Sequence, residues 1–201
     1  MKIRLLLLAA ILALQAAPLM AQTAAGRLFY DRDQWPAAIE ALRVPAEGGD
    51  AEAQFLMGAI LLDGGNAVRK DQKAALRWLG LAAERDHPGA QFELFAFYPT
   101  ADGDLAAEMA ERAKWAERLV RQGKRLTGTQ RDQAALCAEY LGRQYSRTAQ
   151  SNRELILAHA WLNAAIELGN TPAEMERDFV GKHLSPEEIK AAEALKAEIL
   201  R

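Results

Sequence analysis

The chain has 201 residues, of which half are hydrophobic, and a formal net charge of −2 at pH 7. That length is sufficient for one domain with a sizeable core. The mildly acidic balance argues against nucleic acid as a partner, because phosphate recognition needs a basic surface. Cys137 is the single cysteine, so no internal disulfide can form and packing alone must stabilise the fold.

The N-terminus has the layout of a secretory signal peptide. Lys2 and Arg4 precede an apolar run over residues 5–14, and Ala21 is a small residue of the kind that precedes a signal-peptide cleavage site. We therefore expect residues 1–21 to be removed, leaving a periplasmic or secreted bacterial protein with no membrane contact. The absence of a following cysteine argues against a lipoprotein. The alternative is a retained inner-membrane tether, although the run is shorter than the about 20 residues that a span needs.

After this segment the sequence predicts helices throughout and no sheet. Alanine and leucine are abundant, β-branched residues are few, and no stretch alternates with period two. Turns that contain glycine, aspartate or asparagine separate several of the apolar segments. In chain order, the predicted helices are 35–47, 51–62, 71–85, 87–98, 104–122, 130–145 and 152–168.

Two further start signals follow in the C-terminal tail. Residues 171–174 read Thr-Pro-Ala-Glu and residues 185–188 read Ser-Pro-Glu-Glu. Each places a hydroxyl cap, a proline at the first helical position and a glutamate at the third, which is a capping box with a preset φ angle. They predict one helix to about Lys182 and another to the C-terminus. Because these helices break the spacing of the earlier ones, we expect residues 171–201 to form a terminal cap.

Short patterns recur at a fixed spacing along the chain. Residues 53–55 and 90–92 both read Ala-Gln-Phe, 37 residues apart, and Trp78 is followed at the same spacing by Trp115. Another tryptophan, Trp161, lies 46 residues further on. A period of about 35–45 residues is typical of arrays of helix pairs, in which each pair is too small to bury its own apolar face. The spacing therefore predicts stacked antiparallel helix pairs.

Small and aromatic residues fit such pairs. Gly58 and Gly142 lie on predicted first helices, where a missing side chain allows a neighbouring helix to approach closely. Trp78 and Trp161 lie on predicted second helices, each followed four residues later by an alanine on the same face. We expect these tryptophans to fill the space between units.

These positions resemble the Sel-one-like repeat, an α/α repeat related to the tetratricopeptide repeat. The resemblance is carried by Met57, Gly58, Leu61, Gly64, Gly65, Val68, Asp71, Lys73, Ala74, Trp78, Ala82 and Ala83, and again by Leu141, Gly142, Tyr145, Ala158, Trp161, Ala164, Ala165 and Gly169. The middle unit departs from the pattern, since Phe95 replaces a close-packing glycine. The resemblance implies a right-handed α/α solenoid over residues 22–170. It also implies an adaptor or scaffold that holds a protein or peptide.

The first helix of each pair in such a solenoid lines a concave groove, which is the surface these proteins use for binding. Four polar or aromatic residues on the predicted first helices are therefore candidate contacts: Gln54, Gln91, Glu139 and Tyr140. Because Gln91 repeats Gln54 at the repeat period, a structural role for both is the alternative.

The sequence predicts no catalytic, cofactor-binding or metal site. Cys137 and His159 could be written as a nucleophile and its base, but no orienting group or oxyanion donor accompanies them. A lone cysteine is usually buried, and His87, His159 and His183 lack a common ligand spacing. We therefore predict a binding protein rather than an enzyme. The alternative is an exported enzyme or enzyme subunit that uses Cys137 or a carboxylate in the groove.

Overall fold

The computed structural model describes residues 19–97 and 105–201, and all regular elements in these ranges are helices. An isolated bridge between Gly65 and Val68 is the one β-type contact in the described part. This confirms the predicted all-α class. The helices are α1 (19–30), α2 (Trp35–Glu47), α3 (Ala51–Asp63), α4 (Gln72–Ala83), α5 (Pro88–Phe97), α6 (Leu105–Arg121), α7 (Thr129–Thr148), α8 (Asn152–Leu168), α9 (Ala173–Gly181) and α10 (Pro186–Ile199), with a 3₁₀ turn at Gly123–Arg125.

Helix α1 was not predicted from the sequence. It overlaps the end of the predicted signal peptide, whose residues 1–18 lie outside the described part of the chain. Gly26 in α1 lies against Leu42 of α2, so closely that a Cβ atom there would come within 2.4 Å of the leucine side chain. Sequence reasoning missed α1 because a glycine inside an alanine-rich stretch reads as a helix breaker, whereas here it permits a close helix contact. No helix in the described ranges is long and apolar enough to cross a membrane.

The two capping boxes predicted in the tail have different outcomes. At α10 the Ser185 hydroxyl accepts from the Glu188 N–H at 3.3 Å, and the Glu188 carboxylate accepts from the Ser185 N–H at 2.8 Å, so this box is confirmed. At α9 the prediction is wrong, because no side chain caps the helix. The N–H groups of Ala173 and Glu174 instead donate to the carbonyls of Asn170 and Thr171. This tight backbone turn leaves the Thr171 hydroxyl no donor to accept from.

The chain divides into two compact units, with the boundary between Ala90 and Gln91. In the first unit, α2 and α3 supply a buried core, and Trp78 packs partly buried against it. The Gln54 side chain, near the start of α3, donates to the Ala46 carbonyl near the end of α2 at 2.9 Å. The backbone N–H of Asp71, which caps α4, donates to the Leu61 carbonyl near the end of α3. Earlier along α3, Gly58 lies against Leu79, which is further along α4. Helices α3 and α4 are therefore antiparallel.

In the second unit the same arrangement joins α7 and α8. Arg131, in the first turn of α7, donates to the carbonyls of Glu167 and Leu168 in the last turn of α8, at 2.9 and 3.2 Å. The two helices are therefore antiparallel. The tail helix α10 is attached to α8 by an ion pair of 2.9 Å between Lys196 and Glu167.

The predicted close packing at two glycines is confirmed. A Cβ atom at Gly58 of α3 would lie 2.7 Å from the Leu79 side chain of α4. A Cβ atom at Gly142 of α7 would lie 2.6 Å from the Leu162 side chain of α8. Each leucine follows one of the repeat tryptophans in the sequence. The same glycine–leucine contact therefore joins the two helices of a pair in both units.

Candidate functional site

Two of the four residues predicted as groove contacts are inside the protein. Gln54 is 2% exposed and Gln91 is 0% exposed. The Gln54 side-chain amide donates a hydrogen bond to the Ala46 carbonyl. The Gln91 side-chain oxygen accepts one from the Gln122 amide at 2.7 Å. Because neither side chain reaches solvent, both are corrected to structural residues, which is the alternative that their periodic spacing suggested.

The other two, Glu139 and Tyr140, are neighbours on α7, and both are partly buried. The Tyr140 ring meets the Phe95 ring edge to face, with 5.1 Å between their centres. The Arg112 guanidinium lies 5.4 Å from each of these ring centres and donates to the Phe95 carbonyl at 3.0 Å. These contacts from α5 and α6 fix the orientation of Tyr140.

Glu139 is held by two donors. One carboxylate oxygen accepts from the Asn170 amide at 2.6 Å, and the other faces the Arg143 guanidinium at 2.8 Å. Arg143 also lies 3.8 Å from a carboxylate oxygen of Glu176 on α9. Both oxygens of Glu139 are therefore occupied, whereas Arg143, with 46% of its side chain exposed, remains accessible to solvent.

We define the α7 face as the six residues that line a shallow hollow of about 220 Å³ on this helix: Leu136, Glu139, Tyr140, Arg143, Gln144 and Arg147. Leu136 is 51% exposed. Sequence reasoning missed four of the six. The available signal was helical spacing: Leu136, Arg143 and Gln144 lie three or four residues from Glu139 or Tyr140. Arg147 lies seven residues from Tyr140, and residues at these spacings share one helix face.

Cys137 and His159 do not form a reactive pair. Cys137 is 0% exposed, and burial raises the pKa of its thiol far above the ordinary value, against the smaller opposing effect of the Arg112 charge. The His159 ring bonds the Asn163 amide at 3.0 Å. Burial lowers the pKa of His159, and the nearby charge of Arg177 lowers it further. A buried neutral thiol is neither a nucleophile nor readily modified.

A polar cluster in the first unit was also missed. Glu52 pairs with Arg27 of α1 and with the His87 ring nitrogen Nε2, the latter at 2.9 Å. The other ring nitrogen accepts from the Ala90 N–H at 3.2 Å, and the ring stacks on Phe55. Burial alone would raise the pKa of Glu52, but the bond to His87 and the charge of Arg27 outweigh it and lower that pKa. Both ring nitrogens are occupied, so the cluster joins helices and offers no free base.

A second hollow, of about 390 Å³, lies where α7 ends and α8 begins, beside α9. Its lining contains no Asp, Glu, Lys or Arg side chain. Three of its polar side chains already bond carboxylates of the same unit: Ser146 to Glu176, Ser151 to Glu154, and Asn152 to Glu188. Those hydrogen bonds leave the hollow with fewer free donors and acceptors for a ligand. Among the described residues, no group of three or more His, Cys, Asp or Glu side chains could hold a metal ion.

No family model matches the chain, and no curated protein sequence matches it significantly. Among solved structures, the chain is similar to a protective antigen of uropathogenic Escherichia coli strains that is described as displaying an SLR fold. The sequence identity is 22% and the TM-score is 0.46. The match covers 92% of this chain and 46% of that structure, so the chain spans about half of the length of the antigen.

Proposed function

We propose that this chain is an exported repeat scaffold that binds a protein or peptide segment through the α7 face. The observation that carries the proposal is the contrast between the two sides of α7. One side is buried through Cys137 and Leu141. The other side exposes Leu136 and Arg143 to solvent, with Tyr140 partly exposed between them. An aromatic residue held in place by its neighbours, next to an exposed leucine and an arginine, is a composition typical of protein interfaces.

The residues that the sequence suggested as catalytic groups do not support an enzymatic role. The Cys137 thiol is buried with a raised pKa, and the carboxylate of Glu139 is held by Asn170 and Arg143. Neither group is positioned to attack or protonate a substrate on the α7 face. We therefore assign this face to binding.

Export is proposed from the signal-peptide pattern of residues 1–21, with residues 22–170 as the repeat region and 171–201 as its cap. The burial along α1 supports a cut after Ala21, because Met20 is 70% exposed while Thr23 and Gly26 are buried. Removal up to Ala21 would leave the packed part of α1 intact. Mass measurement of the mature N-terminus distinguishes this start from a retained inner-membrane tether.

The binding proposal is tested by chemical crosslinking in intact cells with three single variants. Tyr140→Ala removes the aromatic side chain from the α7 face, Cys137→Ala alters the buried side of the same helix, and Lys190→Ala removes an exposed side chain of α10. We expect Tyr140→Ala to lose the crosslinked partner and the other two to retain it, with equal helix content by circular dichroism. Capture lost with Cys137→Ala and retained with Tyr140→Ala would contradict the proposal.

A further inference from the structure

The charges on α7 are arranged differently from those on its neighbour α6. On α6 the carboxylates and cations alternate at helical spacing, with Glu108 paired to Arg112 and Glu117 to Arg121. On α7 one such pair, Glu139 with Arg143, is followed one turn later by a second arginine, Arg147. Like charges four residues apart on a helix repel each other.

Arg147 has no ion-pair partner among the residues that the structure describes. The residues three and four positions before and after it are Gln144, Arg143, Gln150 and Ser151, so the helix surface supplies no carboxylate. The nearest acidic residue of the α7 face, Glu139, already bonds Asn170 and Arg143. The exposed charge at this end of the face is therefore positive, and a bound carboxylate would relieve the repulsion between the two arginines.

The other end of the face is apolar and aromatic. Leu136 and Tyr140 are one turn apart, and Tyr140 is oriented by Phe95 and Arg112. At 1.5 Å per residue, Arg143 lies about 10 Å and Arg147 about 16 Å along the helix from Leu136. The face therefore runs from an apolar end to a basic end over a length that a short peptide can span.

We propose that the α7 face binds an acidic peptide segment, with an apolar side chain against Leu136 and Tyr140 and two carboxylates on Arg143 and Arg147. This inference rests on the proposed scaffold function and specifies the chemistry of its partner. An extended peptide advances about 3.3 Å per residue. Because only every second side chain of an extended peptide points to the same face, the carboxylates belong about four and six residues after the apolar side chain.

The test uses three fluorescein-labelled synthetic peptides and the full mature chain. The first has one leucine followed four and six residues later by glutamate, in a serine–glycine background. The second replaces both glutamates with glutamine, and the third replaces the leucine with serine. We expect the first to bind most tightly in fluorescence anisotropy, and its affinity to fall as salt is raised, because salt screens the arginine–carboxylate pairs. Equal affinity for the first two peptides would overturn the inference.

Variants of the protein locate the binding. Arg143→Gln and Arg147→Gln should each lower the affinity for the acidic peptide by about two- to fivefold, which is the range expected for a solvent-exposed ion pair. The matched control Lys190→Gln should leave that affinity unchanged. Because Arg147 forms no ion pair among the described residues, Arg147→Gln removes its charge without breaking a contact that stabilises the fold. Unchanged binding with Arg147→Gln would refute the assignment. In-cell capture that depends on Tyr140 but not on either arginine would refute the acidic partner and leave the scaffold function standing.

Discussion

Adding one methyl group at Gly58 should destabilise the first unit. The new Cβ atom would lie 2.7 and 2.9 Å from the Leu79 side chain and 3.1 Å from its backbone nitrogen. Ordinary contacts begin near 3.4 Å, and Leu79 is completely buried, so the clash cannot be relieved by turning a side chain into solvent. Overpacking of this kind costs about 1–3 kcal/mol.

Part of that loss is offset by helix propensity. Alanine is favoured over glycine inside a helix by about 1 kcal/mol, so we expect Gly58→Ala to lower the free energy of unfolding by up to about 2 kcal/mol. For a chain of this size this corresponds to a fall of up to roughly 8 °C in melting temperature. Gly142→Ala should also lower the free energy of unfolding, because its Cβ would lie 2.6 Å from the Leu162 side chain.

Gly80 provides the matched control within the same unit. It lies in α4, and a Cβ atom there would meet nothing within 4 Å. Gly80→Ala should therefore raise the free energy of unfolding by about 0.5–1 kcal/mol, from propensity alone. Urea unfolding followed by circular dichroism compares the three variants with the parent. If Gly58→Ala proved as stable as Gly80→Ala, the close-packing argument would be refuted.

Four further predictions concern other parts of the chain. Trp161→Ala should cost about 3–5 kcal/mol because Trp161 is buried, whereas Met175→Ala, on an 83% exposed side chain, should change stability by less than about 0.5 kcal/mol. Cys137 should resist maleimide in the folded protein and react once urea unfolds it, and fast native labelling would contradict its burial. Ser185→Ala should cost about 1 kcal/mol through loss of the α10 cap, measured by urea unfolding. The pKa of His159 is lowered on folding, so its contribution to stability is complete above about pH 6.5 and is lost as the pH falls below that value. The free energy of unfolding should therefore fall more steeply with acid in the parent than in His159→Gln. Identical pH profiles of the two proteins would contradict this prediction.

The helices after residue 34 were predictable because their signals are local. Asp50 and Asp71 each cap the helix that follows, accepting from Ala53 and Ala74. Gly169 takes a left-handed conformation with φ of +117° and ends α8. Such signals depend on side chains within a few residues of the helix end, which a single sequence displays.

The candidate site was only partly predictable, because exposure depends on which helices pack against a position. Gln54 and Gln91 occupy first helices as expected, yet neighbouring backbone and side-chain groups bury both. Arg143 and Arg147 read as ordinary surface charges until the contacts of Glu139 and Glu176 show which carboxylates are already engaged. Long-range partners of this kind carry no local signal in the sequence.

The central claim, that the α7 face binds a partner, is tested most directly by site-specific photo-crosslinking in intact cells. A photoreactive amino acid placed at position 136, where the side chain at the apolar end of the face is 51% exposed, should yield a discrete adduct with one protein. The same group at position 190 on α10 should yield none, since Lys190 lies outside the face. No adduct from position 136, or the same adduct from both positions, would contradict the claim.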